Sequence, residues 1–157
     1  MDREAFSTEV WAMRGSLLRF AMSMLHARQD AEDAVQDAVL AAWERLHTLR
    51  NDAQFRTWMM SITANKCKMA LRKRGRVELP GELPERETPP EDDAAAALWE
   101  SVCALEDKLR APIVLHYYEG FRIEEIAAIV RAPMGTVSAR MSRARDQLRR
   151  ELSGKGV

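Results

Sequence analysis

The 157-residue chain has little of what a disulfide scaffold, a metal centre or a membrane segment needs. It contains two cysteines and three histidines, and Cys67 and Cys103 show neither pairing nor metal-ligand spacing with those histidines. No apolar run approaches the roughly 20 residues that cross a bilayer. The amino terminus opens with charges rather than with the apolar core of a signal peptide. We therefore expect no metal, no cofactor, no membrane insertion and a reducing cytoplasmic setting.

Net charge is also missing, because 24 basic and 24 acidic residues cancel. The charges are distributed unevenly along the chain, because the stretch 77–100 is rich in acidic residues and contains one basic residue, Arg86. The same stretch holds Pro80, Pro84, Pro89 and Pro90. Such a composition predicts an extended, self-repelling linker. We place this acidic Pro-rich linker at 77–93, between two small helical domains at 1–76 and 94–157 of an all-α chain.

The second domain has the pattern of two helices joined by a tight turn. Apolar residues recur at helical spacing before and after the turn, at Ile123, Ile126, Ala127 and Val130, and at Val137, Met141, Ala144 and Leu148. Pro133 fixes its own φ and disfavours α geometry in the residue before it, so the first helix is expected to end at Val130. This is the layout of a helix-turn-helix.

The solvent side of the second helix combines short hydroxyls with long guanidinium groups. Arginine forms bidentate contacts with guanine edges and phosphates, and threonine can meet a thymine methyl group. A basic helix that merely keeps its outer face solvated is the alternative, but the preceding helix and the proline turn favour DNA recognition. Thr136, Arg140, Arg143 and Gln147 fall on one stripe of this side and are the candidate DNA-reading residues.

The first domain begins with a helix near 3–26, followed by a second helix with an acidic face. Asp30 is the expected N-cap, and the helix should run to about His47. Its buried stripe is expected at Val35, Val39, Ala42 and Leu46. The opposite face carries Asp33, Gln36, Asp37 and Glu44. A solvated charged surface is the usual meaning of such a face, and a docking surface is the alternative.

A third helix starts at Asn51 or Asp52 and becomes strongly basic. We expect Phe55, Met59, Ile62 and Met69 to face the core. Cations beside aromatic or amide groups are the ingredients of single-strand recognition. Cations at a helix C-terminus also complement its dipole, which explains 72–74 but leaves Asn65 unexplained. The stripe of Asn65 also holds Ser61, Lys68 and Arg72, and the residues near it are Arg56, Trp58, Lys66, Lys73, Arg74 and Arg76.

Together these segments resemble the extracytoplasmic-function, or group four, sigma factors of bacterial RNA polymerase. The resemblance is carried by DAEDAVQDAVLAAWER at 30–45, FRTWMMSITAN at 55–65, LHYYEGFRIEEIA at 115–127 and GTVSAR at 135–140. It covers nearly the whole chain, in the family's order and around an acidic linker. It implies sigma regions two and four, with core RNA polymerase, promoter DNA and an anti-sigma factor as partners, and a response to stress. It also implies a protein without chemistry of its own.

The resemblance assigns roles to individual residues. An acidic helix would dock on the coiled coil of the largest catalytic subunit of core polymerase, through Asp33, Gln36, Asp37 and Trp43. The single-stranded −10 element would be bound by Leu49, Arg56, Trp58, Asn65, Lys66, Lys68, Arg72 and Arg74, with base capture at Asn65 and the loop 49–52. The duplex −35 element would be read by Thr136, Ser138, Arg140, Arg143 and Arg145. Arg131, where relatives commonly have glycine, and Ala139, where they often have a polar residue, depart from the pattern.

Two other classes stay open on the sequence. A stand-alone helix-turn-helix regulator would dimerise on a palindrome, and it would leave the acidic helix without a task. A nucleic-acid-processing enzyme would need a catalytic cluster, which the sequence does not offer. His116, the strongest single candidate for a catalytic group, follows Leu115 in an apolar helix and is expected to pack there.

Overall fold

The computed structural model describes residues 1–75 and 93–154, which are helical and contain no strand. The predicted linker therefore lies outside the described residues, except that Asp93 already belongs to a helix. Short 3-10 turns cover Leu46–Thr48 and Asp52–Gln54, and a π-helical turn covers Val114–Tyr118. The α-helices are α1 (Arg3–Leu25), α2 (Arg28–Glu44), α3 (Phe55–Arg74), α4 (Asp93–Cys103), α5 (Asp107–Ile113), α6 (Ile123–Val130) and α7 (Met134–Gly154).

The first three helices enclose an aromatic and aliphatic core. Phe6 meets the ring of Phe55 edge-on at 5.9 Å and the ring of Trp43 at 5.4 Å between centroids. Leu17 and Met59 are fully buried. Burial of a side chain of this size contributes about 1.5–3 kcal/mol. Phe55 thereby fixes the start of α3 against α1.

Helix α2 starts and ends earlier than the sequence suggested. Ala27 is its N-cap and makes no side-chain cap bond, so the expectation for Asp30 was wrong. Asp30 instead lies in the first turn, where the positive end of the helix dipole stabilises its negatively charged carboxylate. The helix ends at Glu44 rather than near His47, because the chain tightens into a 3-10 turn.

The core face of α2 is built from alanine. Of the predicted stripe, Ala42 is fully buried, whereas Val35, Val39 and Leu46 are half-buried and pack at the edge of the core. Helix α2 contacts both α1 and α3, and small side chains let two neighbouring backbones approach it closely. The residues that face this core are Ala31, Ala34, Ala38, Ala41 and Ala42.

A capped 3-10 turn precedes α3, which begins at Phe55 rather than at Asn51 or Asp52. The Asn51 side chain accepts a hydrogen bond from the backbone N–H of Ala53 at 3.0 Å. Phe55, Met59 and Ile62 face the core as expected, but Met69 is 49% exposed, so its assignment was wrong. About two turns of the helix separate the buried Cys67 from Arg74, and over these turns α3 leaves the core for the solvent.

The second domain packs α7 across α4, α5 and α6. The predicted stripe of α7 is confirmed, since Val137, Met141, Ala144 and Leu148 are all buried. Helix α6 ends at Val130 as predicted, and Ile126 is buried in its centre.

The two domains contact each other directly. Helix α6 lies against α3, and α5 lies against α1. Buried residues of both domains form one continuous hydrophobic cluster. At this seam the Arg110 side chain is 5% exposed and donates to the carbonyl oxygen of Met24 at 3.3 Å. Burial lowers the pKa of Arg110, and neighbouring Asp107 raises it.

Candidate nucleic-acid and partner-binding surfaces

Helix α7 presents a basic outer face above a buried apolar stripe. Ser138 and Arg143 are exposed, and Thr136, Arg140 and Arg145 are half-buried. Arg145 also lies 3.4 Å from the Tyr117 hydroxyl, a contact at the long end of hydrogen bonding. The face therefore offers hydroxyl and guanidinium donors from a rigid helix, as reading a major groove requires.

The turn before α7 is closed by a residue in the left-handed region. Arg131 has φ 56° and ψ 50°, and its backbone N–H donates to the carbonyl of Ala127. The next N–H, of Ala132, donates to the same carbonyl at 3.0 Å. This is the conformation that glycine adopts easily and other residues at a cost of about 1–2 kcal/mol. Arginine therefore adopts at this turn a conformation that glycine takes without strain.

The acidic face of α2 is open to solvent. Asp33, Gln36 and Asp37 are exposed, and a hydrogen bond of 2.9 Å joins Gln29 Nε2 to the carboxylate of Asp33. Trp43 is 40% exposed, with one side of its ring packed on Phe6. An anchored aromatic ring beside exposed carboxylates suits a protein partner with basic groups.

Leu40 belongs to the same face, and sequence reasoning missed it. It is 63% exposed and lies between Asp37 and Trp43 on consecutive turns of α2. An apolar side chain this exposed amid acids is the signal that could have found it, because hydrophobic anchors in a polar rim mark interfaces.

A groove between α2 and α3 brings the two charge signs together. Arg74 Nη2 lies 2.6 Å from the Asp30 carboxylate, so this cation is engaged within the first domain. Lys66 lines the same groove opposite the acids of α2. Its full lining is Asp30, Asp33, Ala34, Asp37, Lys66, Met69, Ala70, Lys73 and Arg74.

The remaining basic and polar residues of α3 divide between solvent and contacts. Lys68 and Arg72 are exposed, whereas Asn65 is half-buried and its amide N–H₂ lies 3.6 Å from the Met69 sulfur. That weak partner leaves the Asn65 amide with hydrogen-bonding capacity to spare. Leu49 is half-buried at the end of the first 3-10 turn, six residues before α3 begins.

Arg56 and Trp58 lie at the amino-terminal end of α3. Trp58 is half-buried and tilts against Phe55 at 5.8 Å. The Arg56 guanidinium stacks over the Phe121 ring at 3.9 Å and donates to the backbone carbonyl of Glu119. The structure thus places Arg56 against the second domain rather than with the other cations of α3.

Glu119 is a polar residue that the sequence did not single out. Its side chain is 2% exposed and holds the Arg19 guanidinium at 2.9 Å. The two residues are far apart in the chain, so no local pattern announces their contact. His116, three residues before, is half-buried, and its Nδ1 lies 2.8 Å from the carbonyl oxygen of Phe121.

Neither cysteine is poised for chemistry. Cys67 and Cys103 are buried free thiols, and burial raises the pKa of each to about 12. Within residues 1–75 and 93–154 no group of three or more His, Cys, Asp or Glu side chains is placed to hold a metal ion. Over those same ranges no helix is both long and apolar enough to cross a bilayer.

Comparison with known families matches both domains. The description "Sigma-70 region 2" fits residues 11–77, and "Sigma-70, region 4" fits residues 95–148. These two matches contain the acidic face of α2, the basic helix α3 and the helix-turn-helix.

Curated relatives cover most of the chain. RNA polymerase sigma-H factor of Pseudomonas aeruginosa is 29% identical over 96% of this chain and 88% of its own length. The ECF RNA polymerase sigma-E factor of Escherichia coli K12 is 31% identical over 76% of this chain and 72% of its own.

Solved structures share the arrangement of both domains. The sigma factor RpoE of Bartonella quintana, in complex with the anti-sigma factor NepR, has a TM-score of 0.83 and 27% identity over 96% of this chain and 98% of that one. CnrH in complex with the cytosolic domain of CnrY has a TM-score of 0.72 and 26% identity over 98% of this chain and 90% of that one.

Proposed function

The chain belongs to the extracytoplasmic-function sigma factors of bacterial RNA polymerase. We propose that it binds core polymerase through an acidic surface and promoter DNA through basic surfaces. It acts as an alternative sigma factor in transcription initiation. Its acidic surface on α2 grips core polymerase, and its basic surfaces on α3 and α7 read promoter DNA. The observation that carries this division is the separation of Asp33, Asp37 and Trp43 on one exposed helix from Arg140 and Arg143 on another.

Docking on core polymerase is assigned to Asp33, Gln36, Asp37 and Trp43. The carboxylates steer a basic partner, and the half-exposed indole supplies apolar area at low entropic cost because Phe6 already holds one side of its ring. Residues 1–76 accordingly form the polymerase-binding and −10 domain.

Recognition of the −10 element is assigned to α3 and the turn before it. Asn65 takes a flipped base, which costs a few kcal/mol of unstacking that its pocket and the polymerase contacts offset. Arg74 reaches the backbone only by leaving Asp30, and Arg56 only by leaving Glu119 and Phe121. The supporting contacts to bases and backbone are assigned to Leu49, Trp58, Lys66, Lys68 and Arg72.

Recognition of the −35 element is assigned to the exposed face of α7 in residues 94–157. The residues are Thr136, Ser138, Arg140, Arg143 and Arg145. Duplex reading by one helix in the major groove needs donors on successive turns, and this face provides them.

An anti-sigma factor is the proposed inhibitor, because the sigma factor RpoE of Bartonella quintana was solved with the anti-sigma factor NepR. The protein works where the polymerase works, in the cytoplasm, and performs no catalysis of its own. The test is run-off transcription with core polymerase. Transcripts that depend on the chain support the proposal, and equal output with and without the chain eliminates it.

A further inference from the structure

An exposed tyrosine outside the helix-turn-helix lies beside α7. Tyr117 is 57% exposed, whereas its neighbour Tyr118 packs its ring edge-on against Trp99 at 4.8 Å. Both tyrosines belong to the π-helical turn that continues α5, and α5 packs across α7. Single π-helical turns of this kind occur frequently at functional sites. Tyr117 therefore presents a large aromatic side chain at the surface, where the core does not use it.

The histidine before Tyr117 holds the tyrosine ring in place. His116 Nδ1 lies 2.8 Å from the carbonyl oxygen of Phe121, and because that oxygen can only accept, Nδ1 donates. The imidazole fixed in this way meets the Tyr117 ring edge-on, with the two centroids 4.8 Å apart. The phenol hydroxyl then lies 3.4 Å from Arg145 Nη1 on α7. A side chain of the π-helical turn thus contacts a cation of the DNA-binding helix.

The contact between Tyr117 and Arg145 leaves hydrogen-bond donors on both groups. Arg145 donates to the hydroxyl oxygen, so the hydroxyl proton of Tyr117 remains available to an acceptor. The guanidinium carries further N–H groups, and among the described residues no carboxylate pairs with it. A hydroxyl donor beside cationic N–H donors suits an anion with several acceptor oxygens, such as a phosphate.

Arg145 lies at the edge of the outer face of α7 rather than at its centre. Successive residues of an α-helix are rotated by about 100°, which places Arg145 about 70° from the middle of the buried stripe. The same count places Arg143 about 130° from it. In agreement, Arg145 is half-buried and Arg143 is exposed. When a helix enters a groove, the side chains at the edge of its outer face lie nearest the sugar-phosphate backbone, so the position of Arg145 favours a phosphate partner over a base.

We propose that Tyr117 and Arg145 form a phosphate clamp beside the −35 element, in which the Tyr117 O–H and an Arg145 N–H donate to oxygens of one DNA phosphate. The clamp extends the DNA-binding surface of α7 onto the π-helical turn. Contacts to phosphates fix the register of a protein on the duplex and carry no sequence information. Arg145 therefore positions α7, and base reading belongs to the centre of its outer face. This inference rests on the proposed recognition of the −35 element.

The clamp is tested by removing the charge of one phosphate at a time. The probe is a short duplex that carries the −35 word shared by mapped transcript starts, with single methylphosphonate substitutions along both strands. Binding is measured by fluorescence anisotropy with the full chain bound to core polymerase. We expect one position at which the substitution weakens binding of the unchanged chain but has little further effect on a Tyr117→Phe, Arg145→Ala variant. Equal losses for both proteins at every position would overturn the proposal.

The tyrosine hydroxyl is tested by Tyr117→Phe, which keeps the ring against His116. This variant should bind about threefold to tenfold more weakly, the range for one hydrogen bond, and by the same factor on matched and mismatched −35 duplexes. Ser153→Ala removes an exposed hydroxyl near the end of α7 and should leave the affinity unchanged. An unchanged affinity of the Tyr117 variant, or a loss confined to the matched duplex, contradicts the clamp.

The arginine is tested through the salt dependence of binding. Arg145→Ala should reduce the log–log salt slope by about 0.9, the value for one phosphate contact on duplex DNA, whereas the neutral change Tyr117→Phe should leave the slope as it is. Lys108→Ala, an exposed cation at the other end of α5, is the charge-matched control. In the Arg145→Ala background Tyr117→Phe should cost less than it does alone, because the two side chains hold the same phosphate. Fully additive losses, or an unchanged slope for Arg145→Ala, would refute a shared phosphate.

Failure of the clamp differs from failure of the −35 assignment. If the unchanged chain prefers the matched duplex over a scrambled one and the variants bind as it does, the clamp alone is wrong. If the unchanged chain shows no such preference, −35 recognition is wrong and the clamp falls with it. Circular dichroism of each variant should show the helicity of the unchanged chain, so that a loss of affinity reports the contact and not the fold.

Discussion

Arg74 on α3 and Asp30 on α2 form an ion pair of 2.6 Å across the groove between these helices. The arginine side chain is 21% exposed and the aspartate 43%, so solvent screens the pair and its contribution to stability is at most about 1 kcal/mol. The pair nevertheless holds the Arg74 guanidinium over the groove. It ties the last turn of the basic helix to the first turn of the acidic one.

The ion pair predicts unequal roles for two cations of α3. Lys68→Ala should reduce the salt dependence of binding to a pre-melted −10 strand by about 0.7 in the log–log slope, the value for one lost phosphate contact on single-stranded DNA. Arg74→Ala should reduce it by markedly less, because Asp30 already holds that guanidinium. Fluorescence anisotropy across a salt series measures both. Equal slopes for the two variants would show that DNA displaces Asp30.

Two arginines of α7 are predicted to read bases. Arg140→Ala and Arg143→Ala should each weaken −35 binding by about 1–3 kcal/mol and reduce discrimination against a mismatched site. Arg150→Ala, an exposed arginine near the far end of the same helix, is the charge-matched control. Quantitative gel shifts on matched and mismatched duplexes provide the measurement. Loss of affinity without loss of discrimination would reassign these residues to phosphate contacts.

Asn65 is predicted to act in base capture. Asn65→Ala should impair opening of a duplex promoter more than binding to a pre-melted one, because the free-energy penalty lies in taking the base from the stack. Permanganate footprinting of polymerase complexes on both templates measures this difference. An equal defect on the two templates rules out the capture role.

We expect the folded protein to lose stability in mild acid because of His26. It caps α1 with φ 57°, and burial, followed by the nearby Arg110, lowers its pKa below 6.5. Below pH 6.5 the histidine is protonated more readily in the unfolded chain than in the folded chain. The free energy of unfolding therefore decreases as the pH falls, by less than about 1.4 kcal/mol per pH unit. Asn tolerates this backbone conformation. His26→Asn should therefore lessen the difference between urea midpoints at pH 7.5 and 5.5.

The control for the acid effect is His47→Asn, at an exposed histidine outside the core. It should leave the difference between the two midpoints as in the unchanged chain. An unchanged pH dependence in the His26 variant would assign the acid sensitivity to other groups.

Arg131 predicts a stabilising substitution in the helix-turn-helix. Its φ of 56° strains an arginine, so Arg131→Gly should raise stability by about 0.5–1 kcal/mol after the entropy cost of glycine. Ala139→Gly, at an exposed helical position, should lower stability by a similar amount. Thermal unfolding of the two variants should move in opposite directions. A parallel loss in both would mean that the Arg131 side chain supports the fold.

The sequence predicted best where large apolar side chains and charges occupy separate faces of a helix. The stripe of Val137, Met141 and Leu148 was found because α7 has one buried face and a charged outer face. On α2 the prediction named Val35, Val39 and Leu46, which lie at the edge of the core, because the fully buried positions between α1 and α3 are alanines. Periodicity alone does not distinguish an alanine that faces a neighbouring backbone from a solvent-facing one.

The sequence could predict a candidate surface only where all of its residues lie on one helix. The acidic face of α2 and the basic face of α7 are each contained in one helix, and the structure leaves both accessible. The contacts of Glu119 with Ser16 and Arg19 join residues about a hundred positions apart. The spacing of residues within one helix does not predict such a contact, so the contacts between the two domains could be seen only in the structure.

The account is tested most directly by transcription of genomic DNA from the source organism with purified core polymerase, followed by sequencing of transcript 5′ ends. With the chain present we predict a new set of start sites that share two sequence words, near 10 and 35 base pairs upstream. A chain changed at Asp33 and Asp37 to Ala should lose those starts. Identical start sites with and without the unchanged chain would contradict the account.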